Sequence, residues 1–147
     1  MASIHISGLD EVMIMMDKLS NSSVLVAAAK EVIDSSIPEL ENALKSATAS
    51  AAKGHGNNPG ELVASIHTLP AKENSLGVFG VARPDGVDSD GNLMEDRFRW
   101  LDRGVHRNGD WQSTGKGIRD KAIGSVQGSL EAKMTTMMEA KIGEIAD

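Results

Sequence analysis

"VLVAAAKEVIDSSIPELENALKSA", Val24 to Ala47, is the stretch on which the fold turns. Small and apolar residues recur in it and just beyond at Leu25, Ala28, Ala29, Val32, Ser36, Leu40, Ala43, Leu44, Ala47 and Ala51. These i, i+3, i+4 steps place one face of an α-helix against a core. The phase runs straight through Pro38. A proline inside a helix removes one backbone donor and crowds the carbonyl four residues back, so it bends the axis without shifting the stripe. The spacing predicts one long helix kinked at Pro38. The alternative is two helices, with Pro38 in the first turn of the second.

Other segments arrange themselves around this helix. Upstream, "SIHIS" (Ser3–Ser7) alternates like a strand. A helical stripe then follows at Leu9, Val12, Met13, Met16 and Leu19, with Asp10 and Glu11 in its first turn. "KGHGNNPG" (Lys53–Gly60) has the composition of a loop. "ELVASI" is a helical turn or the start of a strand. "SIHTLPA" and "SLGVFGVA" read as two strands joined by a "KEN" turn, and "RPDGVDSDGN" (Arg83–Asn92) as an acidic loop. "LMEDRFRWLDRG" reads as a short helix stopped by Gly104, and "VHRNGDWQSTGKG" as a second loop. A final helix from Ile118 to Ile145 carries Ile118, Ala122, Val126, Leu130, Met134, Met138, Ile142 and Ile145 on one side. The expected fold class is α+β: a long kinked N-terminal helix and a C-terminal helix packed on a small antiparallel sheet of Ser3–Ser7, Ile66–Ala71 and Leu76–Ala82. The 147 residues are one domain's worth of chain.

Composition narrows the function. There is no Cys and no Tyr, aromatics are 3% of the chain, and eight Met soften a core of Ala, Val, Ile and Leu. No disulfide or thiolate chemistry is available. The opening "MASIHISGLDEV" lacks a basic region followed by an apolar run, so no secretory leader is expected, and no apolar run approaches the roughly 20 residues of a membrane span. "DGVDSDGN" has alternating Asp residues like the start of a calcium loop. The register fails, because Gly86 falls at the first ligand position and Arg97 at the bidentate Glu position. "GDWQSTGKG" has five residues between Gly109 and Gly115, and Gly117 where a phosphate loop needs Ser or Thr. His5, His55, His67 and His106 show no i, i+4 metal spacing. No catalytic residue, metal or cofactor is expected.

Charge is distributed unevenly. "RFRWLDRGVHRNGDWQSTGKGIRDK", Arg97 to Lys121, holds both tryptophans and seven of the fifteen Lys+Arg against three acidic residues, about +4. The remainder has eight basic and eighteen acidic residues, about −10. Arg and Trp are favoured interface anchors, and a basic patch on one copy can meet acidic surface on the next. The expected contact residues are Arg97, Arg99, Trp100, Arg103, Arg107 and Trp111, with Asp85, Asp88 and Asp90 of the acidic loop as their target. The competing reading is a small nucleic-acid-binding protein, in which the basic residues hold phosphates and Trp stacks on bases.

The order of these pieces resembles the small head–tail joining, or tail-completion (neck), proteins of long-tailed double-stranded DNA phages. The matching pieces begin with "SIHISGLDEVMIMMDKL", like that family's opening strand and helix, and the Ala-rich "VLVAAAKEVIDSSIPELENALKSA". "NNPGELVASI" keeps Gly60, Leu62, Ser65 and Ile66 of a P-x-x-T-G-x-L-x-x-S-I motif, with Pro59 in place of Thr. "FRWLDRGV" is similar to the family's Y-x-x-F-V-E-F-G-T. "HRNGDWQSTGKGIRDKA" stands where the family has A-R-P-F-L-R-P-A. The resemblance implies a virion structural protein, made in the host cytoplasm and acting at the head–tail junction. It would form a ring, usually of six copies, touching connector and tail-tube neighbours while DNA passes through the lumen. It implies no reaction and no cofactor.

Overall fold

A computed structural model describes residues 22–53, 58–107 and 109–146. The strand expected at Ser3–Ser7 and the helix expected at Leu9–Leu19 lie outside these residues. The chain runs through α1 (Ser22–Ser36), α2 (Pro38–Ala52), α3 (Pro59–Ala64), β1 (Ile66–Asn74), β2 (Gly77–Pro84), α4 (Met94–Arg103), β3 (Gly104–Arg107), β4 (Asp110–Thr114) and α5 (Ile118–Ala146). The class is α+β, with a long bent N-terminal helix and a C-terminal helix beside a small antiparallel sheet.

Helices α1 and α2 are one bent rod. Ile37 between them keeps helical dihedrals, φ −58° and ψ −25°. Its N–H donates to the Ile33 carbonyl at 2.8 Å, and its carbonyl accepts from the Glu41 N–H at 3.1 Å. Only Pro38 cannot donate, and it is also the first residue of α2, so both sequence readings of this proline describe part of the backbone. Ser36 helps the bend by donating its hydroxyl to the Val32 carbonyl at 2.7 Å. The expected stripe is buried at Leu25, Ala28, Val32, Ser36, Leu40 and Leu44. Helix α5 runs antiparallel to the rod: Lys141 pairs with Glu31 at 2.9 Å and Lys133 with Glu39 at 2.8 Å. Its Ile118, Ala122, Leu130, Met134 and Met138 are buried, and Val126, Ile142 and Ile145 pack at the edge.

The β1–β2 hairpin covers the bend. Its turn is Ser75–Leu76, not "KEN": the pairing continues through Lys72↔Phe79 and Glu73↔Val78 to Asn74↔Gly77. Gly77 supplies the φ of +130° that closes the turn, and the Asn74 side chain accepts from the Leu76 N–H. One extra residue bulges β1 between Leu69 and Lys72. The rod then closes β1's outer edge. The Ala71 N–H donates to Asp34 at 2.7 Å and the Thr68 N–H to Glu41 at 2.8 Å. Glu41 is held below the usual carboxylate range, first by its hydrogen bond from Lys45 and then by the Thr68 amide. Gly80 lets β2 lie close on the rod, since a Cβ there would stand 2.7 Å from Ile33 Cγ2.

Within "NNPGELVASI", Pro59–Ala64 folds as a short helix with Pro59 at its start, and Leu62 and Ile66, the first residue of β1, are buried in the core. "VHRNGDWQSTGKG" is not simply a loop. Its first part is the β3–β4 hairpin, pairing Gly104↔Thr114 and Val105↔Ser113 before a one-residue register shift.

Candidate interaction surface

Helix α4 is the centre of the basic stretch. Met94, Phe98 and Asp102 fall at i, i+4, i+8 and are buried. Gly104, at φ 89°, ends the helix and donates its N–H back to the Trp100 carbonyl. The chain returns after the β3–β4 hairpin and passes against this helix end. Lys116 N–H donates to the Leu101 carbonyl at 2.9 Å, and Gly117 N–H to the Asp102 carbonyl at 3.0 Å.

Several charges of the stretch serve the fold. Asp102, a buried carboxylate, accepts from the Arg119 N–H at 3.0 Å and pairs with the Arg119 guanidinium at 3.4 Å. That guanidinium also stands 5.5 Å from the centre of the Phe98 ring, in cation–π range. Arg97 reaches Asp88 at 3.2 Å and Glu61 at 3.6 Å, and Arg99 pairs with Asp96 one turn back at 3.2 Å.

The expectation that Asp88, with Asp85 and Asp90, offers itself to the basic residues of another copy needs correcting for Asp88. Asp88 is buried and organises its own turn. One of its oxygens accepts the N–H groups of Asp90 and Asn92 at 2.9 and 2.8 Å, the Asn92 amide reaches both oxygens, and Arg97 closes on the other. Gly86 and Gly91 take the left-handed dihedrals that the turn needs, and Val87 bridges to Leu93 across it. What reads as a flexible acidic loop is a closed turn locked to α4. Asp85 stands 3.6 Å from His67, and Asp90 is exposed. The sequence missed the Asp88–Arg97 pair because its members belong to different elements.

Asp88 sits below the ordinary aspartate range. The Asn92 backbone hydrogen bond is the main cause, helped by the Asn92 side chain, the Asp90 N–H and the Arg97 charge, against the cost of desolvation. A lowered folded-state pKa adds stability above the unfolded value, about 4 for Asp, and that stability fades as pH falls through the folded value. Asp88→Ala is therefore expected to weaken the protein at pH 7. Its deficit should shrink steadily below about pH 4 in urea titrations run across pH. An undiminished deficit in acid would reject the ionic part of this account.

The outward face of α4 keeps what the fold does not use. Trp100 is 47% exposed, a large apolar side chain in water, and Arg103 one turn on is exposed too. Leu93 and Val87 are also exposed, at 56% and 61%. The side chains of Arg107 and Trp111 lie outside the described part of the structure, and their backbones pair with Asp110 and His106 in the hairpin. Of the nine residues singled out as an interface, the structure joins Arg97 to Asp88 internally and leaves Trp100 and Arg103 on the surface.

Among the described residues, no cluster of three or more His, Asp or Glu is placed to hold a metal ion. None of the described helices is long and apolar enough to cross a membrane. The chain matches no protein-family model, no curated protein and no solved structure.

Proposed function

We propose that this chain is a virion structural subunit that assembles side by side into a ring at the head–tail junction of a long-tailed double-stranded DNA phage. The observation that carries the reading is Trp100, half-exposed on a helix that also exposes Arg99 and Arg103 and whose opposite face is in the core. An indole beside arginines is the composition of an interface anchor. The motif order along the chain, from the Ala-rich helix through "NNPGELVASI" to "FRWLDRGV", supports the same reading, and the α+β fold is compatible with it. The acidic remainder of the molecule, about −10, offers the next copy a surface to which a basic flank is drawn, and gives a lumen that does not grip DNA. In this role the chain has no substrate. Connector and tail-tube proteins lie above and below it.

Trp100→Ala combined with Arg103→Glu tests this. Assembly followed by light scattering should fall by at least about tenfold in apparent affinity, the effect of losing one hot spot of roughly 2 kcal/mol. The helical circular dichroism should stay as it was. Unchanged assembly would overturn the ring reading. If assembly persists while DNA affinity drops and its salt slope becomes shallower, the stretch is a nucleic-acid surface instead.

A further inference from the structure

A strip of surface along α4 has ends of opposite sign. Leu93, which precedes the helix, and Asp96, Trp100 and Arg103 fall at i, i+3, i+7 and i+10. They therefore share one side of the helix, turned away from the buried Met94, Phe98 and Asp102. Leu93 and Trp100 are about 10 Å apart along the axis. Val87 lies beside Leu93, since the two are bridged across the acidic turn. Val87, Leu93 and Trp100 are three of the five large apolar side chains left exposed among the described residues. Apolar groups gathered in this way mark a contact surface, where single exposed ones do not.

The charges on the strip are arranged by position. In its middle, Asp96 pairs with Arg99 at 3.2 Å, so that part is neutral. At one end Asp90 is exposed in the tight turn that the Gly91 N–H closes onto the Asp88 carbonyl at 3.0 Å. At the other end Arg103 is exposed in the last turn of α4. Neither Asp90 nor Arg103 enters an ion pair among the described residues. Asp88 and Arg97 do not compete for them, because they hold each other.

A strip that is apolar along its length, negative at one end and positive at the other complements a reversed copy of itself. We infer that this strip is a self-contact of the chain: Trp100 of one copy packs on Val87 and Leu93 of a second copy, and Arg103 meets the second copy's Asp90. The inference rests on the reading of Trp100 as an interface anchor, and it adds the surface that receives the indole. Two copies laid antiparallel would close into a pair. Copies that give one end of the strip to each neighbour would run on into a ring.

Asp90→Arg and Arg103→Glu, made in separate chains, test the contact. Each alone sets like charges against each other at the ends of the strip, so self-affinity measured by light scattering should fall at least about tenfold. An equal mixture of the two chains restores opposite charges at both ends and should recover association to within about threefold of the unaltered chain. Leu93→Ser removes an apolar group that a single copy leaves in water, so it should weaken association by about tenfold and leave the helical circular dichroism unchanged. A mixture that associates no better than either variant alone overturns the inference, as does association that neither variant weakens. The size of the unaltered complex separates this failure from that of the ring. A complex of many copies that ignores the charge swap keeps the ring and removes this contact. One that stops at two copies and obeys the swap keeps the contact and removes the ring, and a chain that is monomeric at every concentration removes both.

Discussion

Leu40→Ala is expected to cost about 2–5 kcal/mol of unfolding free energy, the range for emptying a fully buried leucine site. Leu40 has no exposed surface and sits two residues after Pro38, at the bend of the rod. The cavity would open beside a backbone that already lacks one helical hydrogen bond, so the loss belongs in the upper half of that range. Denaturant titration gives the number. The midpoint should fall with little change in slope, because the unfolded chain exposes nearly the same surface. A loss under about 1 kcal/mol would mean that the site collapses easily and that the bend is not the centre of the core.

Gly115→Ala is the second large effect, and it acts on backbone. A Cβ at Gly115 would stand 2.4 Å from the Arg103 carbonyl carbon, 2.4 Å from the Asp102 carbonyl oxygen and 2.7 Å from Arg103 Cα. No rotamer change relieves a clash with main chain, so the cost should reach or exceed the roughly 3 kcal/mol at the top of the usual overpacking range. The failure should be local first. The Lys116 and Gly117 amides, which donate to Leu101 and Asp102, should lose protection from hydrogen exchange before the rod does. Gly124→Ala is the control, since nothing lies within 4 Å of its added methyl. In a helix interior that change should stabilise by about 0.5–1 kcal/mol. Equal effects at the two glycines would reject the account.

Periodicity made the helices legible. The stripes of the rod and of α5 are long enough for their phase to survive Pro38 and three interior glycines, Gly124, Gly128 and Gly143. Gly104 marked the end of α4 because a left-handed residue was needed there. The β3–β4 hairpin was not legible, because "GVHR" and "DWQST" are short and polar and show no apolar alternation. The β1–β2 turn was misplaced because Leu76 looks like a strand residue, yet it is 91% exposed at the tip. Charge imbalance marked the basic stretch but misjudged how much of it is free. Composition cannot tell Arg97, Arg99 and Arg119, which hold intrachain carboxylates, from Arg103, which faces solvent.

The two carboxylates that hold β1 bear on how the molecule carries load. Asp34 and Glu41 stand on opposite sides of Pro38 and grip Ala71 and Thr68. Seven residues of helix and three of strand cover nearly the same length, about 10 Å each, so the two clamps engage without stretching either partner. The strand thus braces the weakest point of the rod as a splint braces a fracture. Torque applied at the hairpin tip would reach both halves of the rod together, and the subunit would tilt as one lever instead of flexing at its proline.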